Sequence, residues 1–560
     1  MDAKMEYMKW QRNRFLSDEE MAYLKSIKED EEKIEELFGS DIEFGTAGMR
    51  GILGIGTSRM NNYQIARAIQ AFSNDLIRKA GGRVGKGIAI AFDTRKTSEK
   101  FSDTAVRVLL GNGIGAAVFT APKSVTQLSF AIRYLDLEGG IMITASHNPK
   151  EYNGIKLYNS RGAQILPEDM KSVIREFRNI QNFSQIHPYV GYLRLNSIHQ
   201  KIGLSNDYKY QNAVLKTSVC DDIDKDTVIV YSALHGTGFS CVPGVLKERG
   251  FKKVNLVKEQ MEPDGDFPTI DIPNPEDGKT LDMAINLAKE KSAEIVLATD
   301  PDCDRAGAAV RGRDGEYKIL TGNQTGALLL DYIVRFKKDM PENPLMVQTV
   351  VTGGLGKDIA EKAGIAVRET LTGFKYIGEI MNECEEKGDM NFIFGYEESC
   401  GFVAGTHVRD KDGAGACMLI AEMAACYKKN GYSVYDRLEE LYNEFGYADD
   451  SNKDISFPGT EGKEEMAAMM DRVRNTGIET MAGESVKVTD FLNDETGLPK
   501  ENLIKFEFED GSFAAVRPSD TESKLKLYFY VKGENSDKAA ERKQKIEAEL
   551  SAAAGLEMQD

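Results

Sequence analysis

The sequence predicts an α/β protein of several domains whose carboxyl-terminal part switches to an antiparallel α+β arrangement. Three observations carry this. The 560 residues exceed what one hydrophobic core holds, and at about 150 residues per domain they fill three or four. Short β-branched and apolar runs end repeatedly in Gly-, Asp- or Ser-rich loops, often with an amphipathic stretch after them. Near residue 445 this grammar gives way to alternation with period two. Boundaries near 205, 320 and 445 divide the chain into 1–205, 206–320, 321–445 and 446–560.

Residues 1–40 are charged and periodic, as in MAYLKSIKEDEEKIEELF, and read as amphipathic helix. The strand-and-loop units then follow as GIAIAFDTRKTS (87–98), GIMITASHNP (140–149), TVIVYSALHGTG (227–238), AEIVLATDPDCDR (293–305), PLMVQTVVTGG (344–354) and NFIFGYEES (391–399). Fully apolar strands alternating with helices indicate sheets buried on both faces. In such sheets the loops leaving the carboxyl ends of the strands carry the chemistry. Past 445, NLIKFEFEDGSFAAVRPS alternates around an Asp510-Gly511 turn, KLKLYFYVKG adds a strand, and 535–553 close the chain as an amphipathic helix.

The net charge of −18 sets a field that repels phosphate backbones and anionic lipid, which argues against nucleic-acid or membrane partners. An anionic small molecule survives that objection if a cleft gathers its own Arg and Lys. Seven scattered cysteines, none in a CxxC pair or near a His at zinc spacing, point to a reducing compartment. The amino terminus lacks the apolar core of a signal peptide, and no run approaches ~18 apolar residues. These features predict a soluble cytoplasmic protein.

Two loops stand out. A strand delivers Ser146, beside His147, to a turn that Pro149 keeps from continuing as regular structure. A serine hydroxyl there is a candidate nucleophile, provided a base or a metal activates it. Asp300-Pro301-Asp302-Cys303-Asp304-Arg305 follows the strand EIVLAT. Read as extended, it turns Asp300, Asp302 and Asp304 to one side, where they can converge on a hard cation. An EF-hand loop would need Gly and Glu where Arg305 and Arg311 stand, and the haloacid-dehalogenase pattern would need Thr or Val where Asp304 stands. A purely structural Asp-rich turn is the remaining alternative.

Taken together, TASHNP and DPDCDR resemble the α-D-phosphohexomutases, the phosphoglucomutase/phosphomannomutase superfamily. Other segments of that family's pattern appear in order: EFGTAGMRG (43–51), HNPKEYNGIKLY ending beyond Lys156, Thr372-Gly373-Phe374-Lys375, Gly395-Tyr396-Glu397-Glu398-Ser399, and Arg517-Pro518-Ser519-Asp520-Thr521-Glu522-Ser523-Lys524. The length, the Trp10-containing amino terminus and NPKEYNG look closest to the branch related to phosphoglucomutase-2. The resemblance implies three similar α/β domains with mixed sheets, then a TATA-binding-protein-like α+β domain, all around one cleft.

For chemistry, the resemblance implies a Mg²⁺-dependent enzyme that interconverts glucose 1-phosphate and glucose 6-phosphate through phosphoserine and a glucose 1,6-bisphosphate intermediate. Ser146 would carry the phosphoryl group, with Mg²⁺ held by Ser146, Asp300, Asp302 and Asp304. Arg50 and Arg305 would stabilise the phosphoryl oxygens. Lys156 or His147 would move the sugar hydroxyl's proton, the lysine only if burial and nearby cations lower its pKa. Thr372, Gly373, Lys375, Glu397 and Ser399 would read the sugar, with Gly373 letting the backbone approach the ring. Arg517, Ser519, Thr521 and Lys524 would clamp the non-reacting phosphate. His235 reads as structural. The sugar loops leave phosphomannomutase, phosphopentomutase or glucose-1,6-bisphosphate synthase activity as alternatives, and an inactive sugar-phosphate-binding scaffold as a remote one. A monomer or weak homodimer is expected.

One departure yields a prediction. The family's phosphate loop commonly reads Ser-Gly-Thr-Glu-Pro-Lys, whereas here Asp520 replaces the Gly and Ser523 the Pro. Two like charges ~4 Å apart cost on the order of 4 kcal/mol at an effective dielectric of 20, and about 1 kcal/mol in bulk water. Either Asp520 points to solvent, or it pairs with Arg517 or Lys524 and weakens their grip on phosphate. Screening favours the first. Asp520→Gly is therefore expected to change KM for glucose 1-phosphate by less than about threefold. A tenfold or larger drop at low salt that vanishes at high salt, in steady-state kinetics, would show the carboxylate facing the ligand.

Overall fold

Four sheets organise the chain, of seven, five, four and six strands in sequence order. The computed structural model describes residues 2–13, 15–45, 48–193, 199–457, 462–519 and 524–556. The first sheet has a parallel centre of Ile88–Phe92, Ala116–Phe119, Gly139–Ile143 and His199–Ile202. Tyr152–Asn159 then turns back antiparallel to Gly139–Ile143, and Gly48–Ile52 pairs with it. Alternate side chains of Ile88–Phe92 enter two cores. Ile88, Ile90 and Phe92 join Ile65 and Ile69 of helix Asn62–Lys79, while Ala89 and Ala91 join Leu128 and Ile132 of helix Val125–Tyr134. Burial on both faces is why the strand reads as a continuous apolar run.

The second and third sheets repeat the plan. Val228–Ser232, Lys253–Leu256 and Ile295–Thr299 are parallel, and Ala306–Arg311 returns antiparallel to the last of them. Pro344–Thr349, Ala366–Thr370 and Asn391–Glu397 are parallel, and Gly401–Ala404 returns antiparallel. The loops at 144–151, 300–305 and 398–400 therefore occupy the same place in three domains, where a buried parallel strand turns into an antiparallel partner. They also touch: Ser146 Oγ donates to Asp300 Oδ2 at 2.8 Å, and Ala306 N, just past the second loop, donates to Cys400 O at 3.0 Å. Asp510-Gly511 forms the expected turn in the last sheet, with Gly511 at φ +82°, between Ile504–Phe508 and Phe513–Pro518. That sheet is antiparallel throughout. Helices Gly462–Asn475 and Ser536–Ala554 cover one face through Met466, Met470, Ile546 and Leu550. The opposite face sets Tyr528 and Tyr530 against Val350, Val351 and Leu371 of the third domain.

The amino terminus differs from the single helical reading. It forms three helices, Ala3–Trp10, Asp18–Ser26 and Glu31–Phe38. Ser17 makes a capping box with Glu20, and the Asp30 side chain accepts from Lys33 N, so each local cap outweighs the continuous periodicity. Trp10, fully buried, packs edge-on to Phe38 at 5.5 Å and Tyr63 at 5.2 Å. All seven cysteines are free. Among the described residues no helix is long and apolar enough to cross a membrane.

The joint between the third and fourth domains carries a titratable group. Asp450, on strand Tyr447–Ser456, accepts from Thr321 Oγ1 and from Asn323 Nδ2, both at 2.6 Å, at the start of helix Gly322–Phe336. Burial pushes its pKa up to about 6, against the pull of those two hydrogen bonds and with a further push from Asp449. The folded protein thus holds this proton more tightly than the unfolded chain. The cost of the ionised form appears as pH rises from about 4 through about 6, and is absent below. Asp450→Asn is expected to raise Tm by roughly 2–4 °C near neutral pH and by nothing at acid pH. Thermal melts at the two pH values check this, and an unchanged or lower Tm near neutrality contradicts it.

Candidate active site

Each of the three equivalent loops holds one non-glycine residue in the left-handed region: Ser146 at φ +51°, Cys303 at +53° and Cys400 at +57°. Such a conformation costs about 1–2 kcal/mol per residue and persists only where the surroundings impose it. In the first loop Ser146 N donates to Thr144 Oγ1 at 2.8 Å, and Asn148 N to Ala145 O at 3.1 Å. This turn aims the Ser146 hydroxyl at the second loop, where it donates to Asp300 Oδ2 at 2.8 Å. His147 Nδ1 lies 3.4 Å from the same hydroxyl.

Asp300, Asp302 and Asp304 each offer a carboxylate oxygen within 4.8 Å of the others, and all three are buried. They converge, but not through strand alternation. Residues 301–303 form a turn in which Cys303 N donates to Asp300 O at 2.9 Å, and Asp300 Oδ1 takes the backbone N–H groups of Asp304 and Arg305, each at 3.1 Å. A strand would have kept the three carboxylates in a row, whereas the turn folds them around one point. Lys156 Nζ reaches Asp302 Oδ2 at 2.8 Å and Asp304 Oδ2 at 3.1 Å, and Lys411 Nζ reaches Asp304 Oδ2 at 3.2 Å. Oδ1 of Asp302 and Oδ1 of Asp304 are buried without a hydrogen-bond partner. Orphaned anionic oxygens beside Asp300 and Ser146 Oγ fit the donor set a hard divalent cation takes.

The electrostatics follow from crowding. Burial, then the Asp302 and Asp304 carboxylates, push Asp300 well above the usual carboxylate range. Burial would raise Asp304 too, but Lys156, Lys411 and Arg305 overcome it and hold that carboxyl low. For Lys156, burial pulls the pKa down while Asp302 and Asp304 pull it up and prevail. The condition set for a proton-moving lysine, a lowered pKa, is therefore not met by Lys156 as its carboxylate partners stand. Burial, then Arg305, Arg50, Lys526 and Lys524, hold His147 well below the ordinary histidine value. His147 is thus a neutral imidazole among cations.

The remaining residues sort by domain. Arg50, on Gly48–Ile52, donates through Nη1 to Asn148 Oδ1 in the Ser146 loop. Arg305 Nη1 pairs with Glu276 at 3.1 Å, and its Nε lies 4.0 Å from Asp304 Oδ1. Gly373 caps helix Phe374–Lys387 with φ +118°, and its N–H donates to Glu397 Oε1 at 2.8 Å. Its glycine is required by that φ, since a Cβ would meet nothing closer than the Lys375 side chain at 3.4 Å. Thr372 Oγ1 is buried without a hydrogen bond, Lys375 is 6% exposed, and Ser399 sits in the turn after Glu397. Burial raises the Glu397 pKa against Lys411, the Gly373 N–H and Arg305. In the last domain Ser519 N donates to Lys524 O at 2.8 Å, Arg517 pairs with Glu501, and Lys524 lies 3.6 Å from Asp454. Thr521, with Asp520 and Ser523, lies outside the described residues.

Lys411 is absent from the sequence-based set. It links Asp304 of the second domain to Asp410 at 3.4 Å, and Asp410 in turn accepts from Tyr158 OH of the first domain at 2.8 Å. Its signal in the sequence is the charged run Arg409-Asp410-Lys411-Asp412 placed before an apolar helix, a pattern easily read as a solvated helix start. His235, read as structural, has Nδ1 3.0 Å from Glu262 O and Nε2 2.9 Å from Thr269 Oγ1.

Comparison with known proteins decides the family. Residues 41–184, 208–314 and 321–445 match, in order, alpha/beta/alpha domains I, II and III of the phosphoglucomutase/phosphomannomutase family. The chain belongs to this family. A Staphylococcus haemolyticus protein named phosphoglucomutase is 35% identical over 527 residues, which cover 90% of this chain and 93% of that protein. The phosphoglucomutase of Staphylococcus aureus strain USA300 is 34% identical over 536 residues, covering 93% and 95%. Among solved structures, parafusin (phosphoglucomutase) from Paramecium in its open form superposes with a TM-score of 0.67 at 20% identity, covering 92% of this chain and 97% of that one. A phosphoglucomutase/phosphomannomutase family protein from Burkholderia thailandensis gives 0.66 at 18% identity, with 91% and 97% covered. These two likenesses bear on the fold, and the phosphohexomutase arrangement of three mixed-sheet domains and a fourth antiparallel one is present here.

Proposed function

We propose that this chain is a phosphoglucomutase, interconverting glucose 1-phosphate and glucose 6-phosphate through a phosphoserine at Ser146 and glucose 1,6-bisphosphate. The observation that carries the reading is the Ser146 hydroxyl 2.8 Å from Asp300 within a cluster of three buried aspartates. The names of relatives at 34–35% identity over nine-tenths of the chain support the same substrate. Asp300, Asp302, Asp304 and Ser146 would hold Mg²⁺. Bound there, the ion would offset negative charge on the transferring phosphoryl group.

The chain's own residues then account for the transfer. The phosphoserine P–O bond breaks as a bond forms between phosphorus and a free sugar hydroxyl, and the hydroxyl proton leaves to a base. His147 is the group suited to receive it, being neutral and 3.4 Å from Ser146 Oγ. Arg50 and Arg305 face the transferring oxygens with planar, charge-assisted donors. Lys156 and Lys411 compensate the aspartates. The bisphosphate turns over in the cleft and returns its other phosphoryl group to Ser146, with the proton going back to the new sugar hydroxyl. Glu397, held to Gly373 N–H, and Ser399 with Thr372 and Lys375 would orient the sugar; Arg517, Ser519, Thr521 and Lys524 would hold the non-reacting phosphate.

A coupled assay with Mg²⁺ and a trace of glucose 1,6-bisphosphate tests this over glucose, mannose, N-acetylglucosamine and pentose 1-phosphates. Glucose 1-phosphate is expected to give the highest kcat/KM. A higher value for another sugar would overturn the substrate, and turnover of none would overturn the enzyme.

A further inference from the structure

The left-handed turn at Ser146 needs something to hold it, and one buried side chain touches most of its backbone. Arg95 follows strand Ile88–Phe92 and is 3% exposed. Its Nη2 donates to Ser146 O at 2.7 Å and to Asn148 O at 2.6 Å. Its Nη1 donates to Pro149 O at 2.8 Å and to Tyr152 O at 3.0 Å. Nε donates to Asp93 Oδ2 at 3.1 Å. A guanidinium has five N–H donors in a fixed plane, and here all five are used, four on carbonyls of a single loop.

The surroundings fix the guanidinium in turn. Asp93 is 1% exposed, and its Oδ1 accepts from Arg95 N at 3.0 Å and Ser98 Oγ at 2.6 Å. The Phe267 ring of the second domain lies over the guanidinium at 5.1 Å, and Phe267 itself has φ +48°. A Cβ at Gly265 would stand 2.5 Å from Lys96 N and 2.7 Å from Arg95 Cα, so that second-domain segment presses directly on the Arg95 backbone.

We propose that Arg95 is the positioning residue of the Ser146 loop, holding the serine hydroxyl on the aspartate cluster by gathering the carbonyls of Ser146, Asn148, Pro149 and Tyr152. Its five donors go to Asp93 and to four loop carbonyls, none to the Ser146 hydroxyl or to Asp300, Asp302 or Asp304, so it acts through the loop backbone. The bonds to Ser146 O and Asn148 O are buried, where a carbonyl must find a donor, and no other type of side chain offers donors enough to serve all four carbonyls at once. Lysine keeps the charge opposite Asp93 but brings only three donors from one point. Pro149 O keeps the Tyr152 N–H at 3.0 Å, whereas a single ammonium cannot span the separate sites that the two guanidinium Nη atoms serve, so the turn relaxes. Misplacement of a reacting atom by about 1 Å costs on the order of a hundredfold in rate. The kinetic part of the inference rests on the phosphoserine reading above, whereas the conformational part does not.

The test pairs Arg95→Lys with Arg67→Lys. Arg67 is a comparably buried arginine of the same domain, at 5% exposure, whose donors go to Phe177 O and Asp41, away from the site. Hydrogen–deuterium exchange of segment 144–152 and steady-state kinetics are measured on both variants and the parent protein. For Arg95→Lys, exchange of that segment is expected to rise at least about tenfold, and kcat to fall by about thirtyfold or more with KM within about threefold. Arg67→Lys is expected to match its loss of Tm while leaving exchange of 144–152 and kcat within about twofold. Unchanged exchange of 144–152 in Arg95→Lys, or an equal rise in both variants, overturns the proposal. If the parent protein turns over no sugar phosphate yet only Arg95→Lys loosens the loop, the substrate reading fails and the positioning role stands. If Arg95→Lys does not fold, the same exchange comparison on Phe267→Ala, which uncovers the guanidinium without removing a donor, is expected to show a smaller rise confined to that segment, and its absence overturns the proposal.

Discussion

Ser146→Ala is expected to yield a folded protein whose mutase turnover is lower by roughly a thousandfold or more. In the proposed mechanism the transfer runs in two halves through one oxygen, and Ser146 Oγ is the only hydroxyl among the described residues that donates to the aspartate cluster. The change removes one hydrogen bond to Asp300 and no packing of consequence, so the melting temperature is expected to stay within a few degrees. Near-parental turnover, with contaminating enzyme excluded by a second purification, would remove Ser146 from the mechanism.

Asp302→Asn is expected to weaken Mg²⁺ binding and turnover together, by about a hundredfold at limiting Mg²⁺. Asp302 is fully buried, its Oδ2 already pairs with Lys156 at 2.8 Å, and its Oδ1 has no hydrogen-bond partner. An amide removes one of the three anionic charges that would hold the cation and leaves Asp304 as the charged partner of Lys156 in that pair. Calorimetric titration with Mg²⁺ reads the binding, and the Mg²⁺ dependence of kcat reads the function. Full activity at limiting Mg²⁺ would contradict the assignment of this carboxylate.

The parts legible in the sequence are those where burial leaves no choice. Gly139–Ile143 and Ile295–Thr299 are buried at every position, so they are apolar but for the terminal Thr299, and the ionisable groups are displaced into the loop that follows. Ser146 and the three aspartates were readable for that reason. The shape of the aspartate loop was not, because spacing by two suits both an extended segment and a turn. Only the left-handed Cys303 distinguishes them, and its side chain gives no hint of it. Lys411 and Arg95 were missed on different grounds. Lys411 belongs to a charged run before a helix, which local pattern reads as solvated surface, and its meaning arises only when the third domain meets Asp304. Arg95 stands in Asp93-Thr94-Arg95, three residues past a strand, and its partners are carbonyls more than fifty residues away that no side-chain pattern records. At the amino terminus the periodicity hid two breaks, which the Ser17 and Asp30 caps explain in retrospect.

The most direct measurement is the phosphorylation state of Ser146, read by mass spectrometry of intact protein and of the peptide that contains it. The protein is incubated with glucose 1,6-bisphosphate and Mg²⁺, then, after removal of the free bisphosphate, with excess glucose 1-phosphate and Mg²⁺. One phosphoryl group is expected on Ser146 after the first step and is expected to leave after the second, with glucose 1,6-bisphosphate appearing in proportion. Turnover of glucose 1-phosphate by a protein that never carries phosphate on Ser146, or that carries it on another residue, would contradict the phosphoserine mechanism.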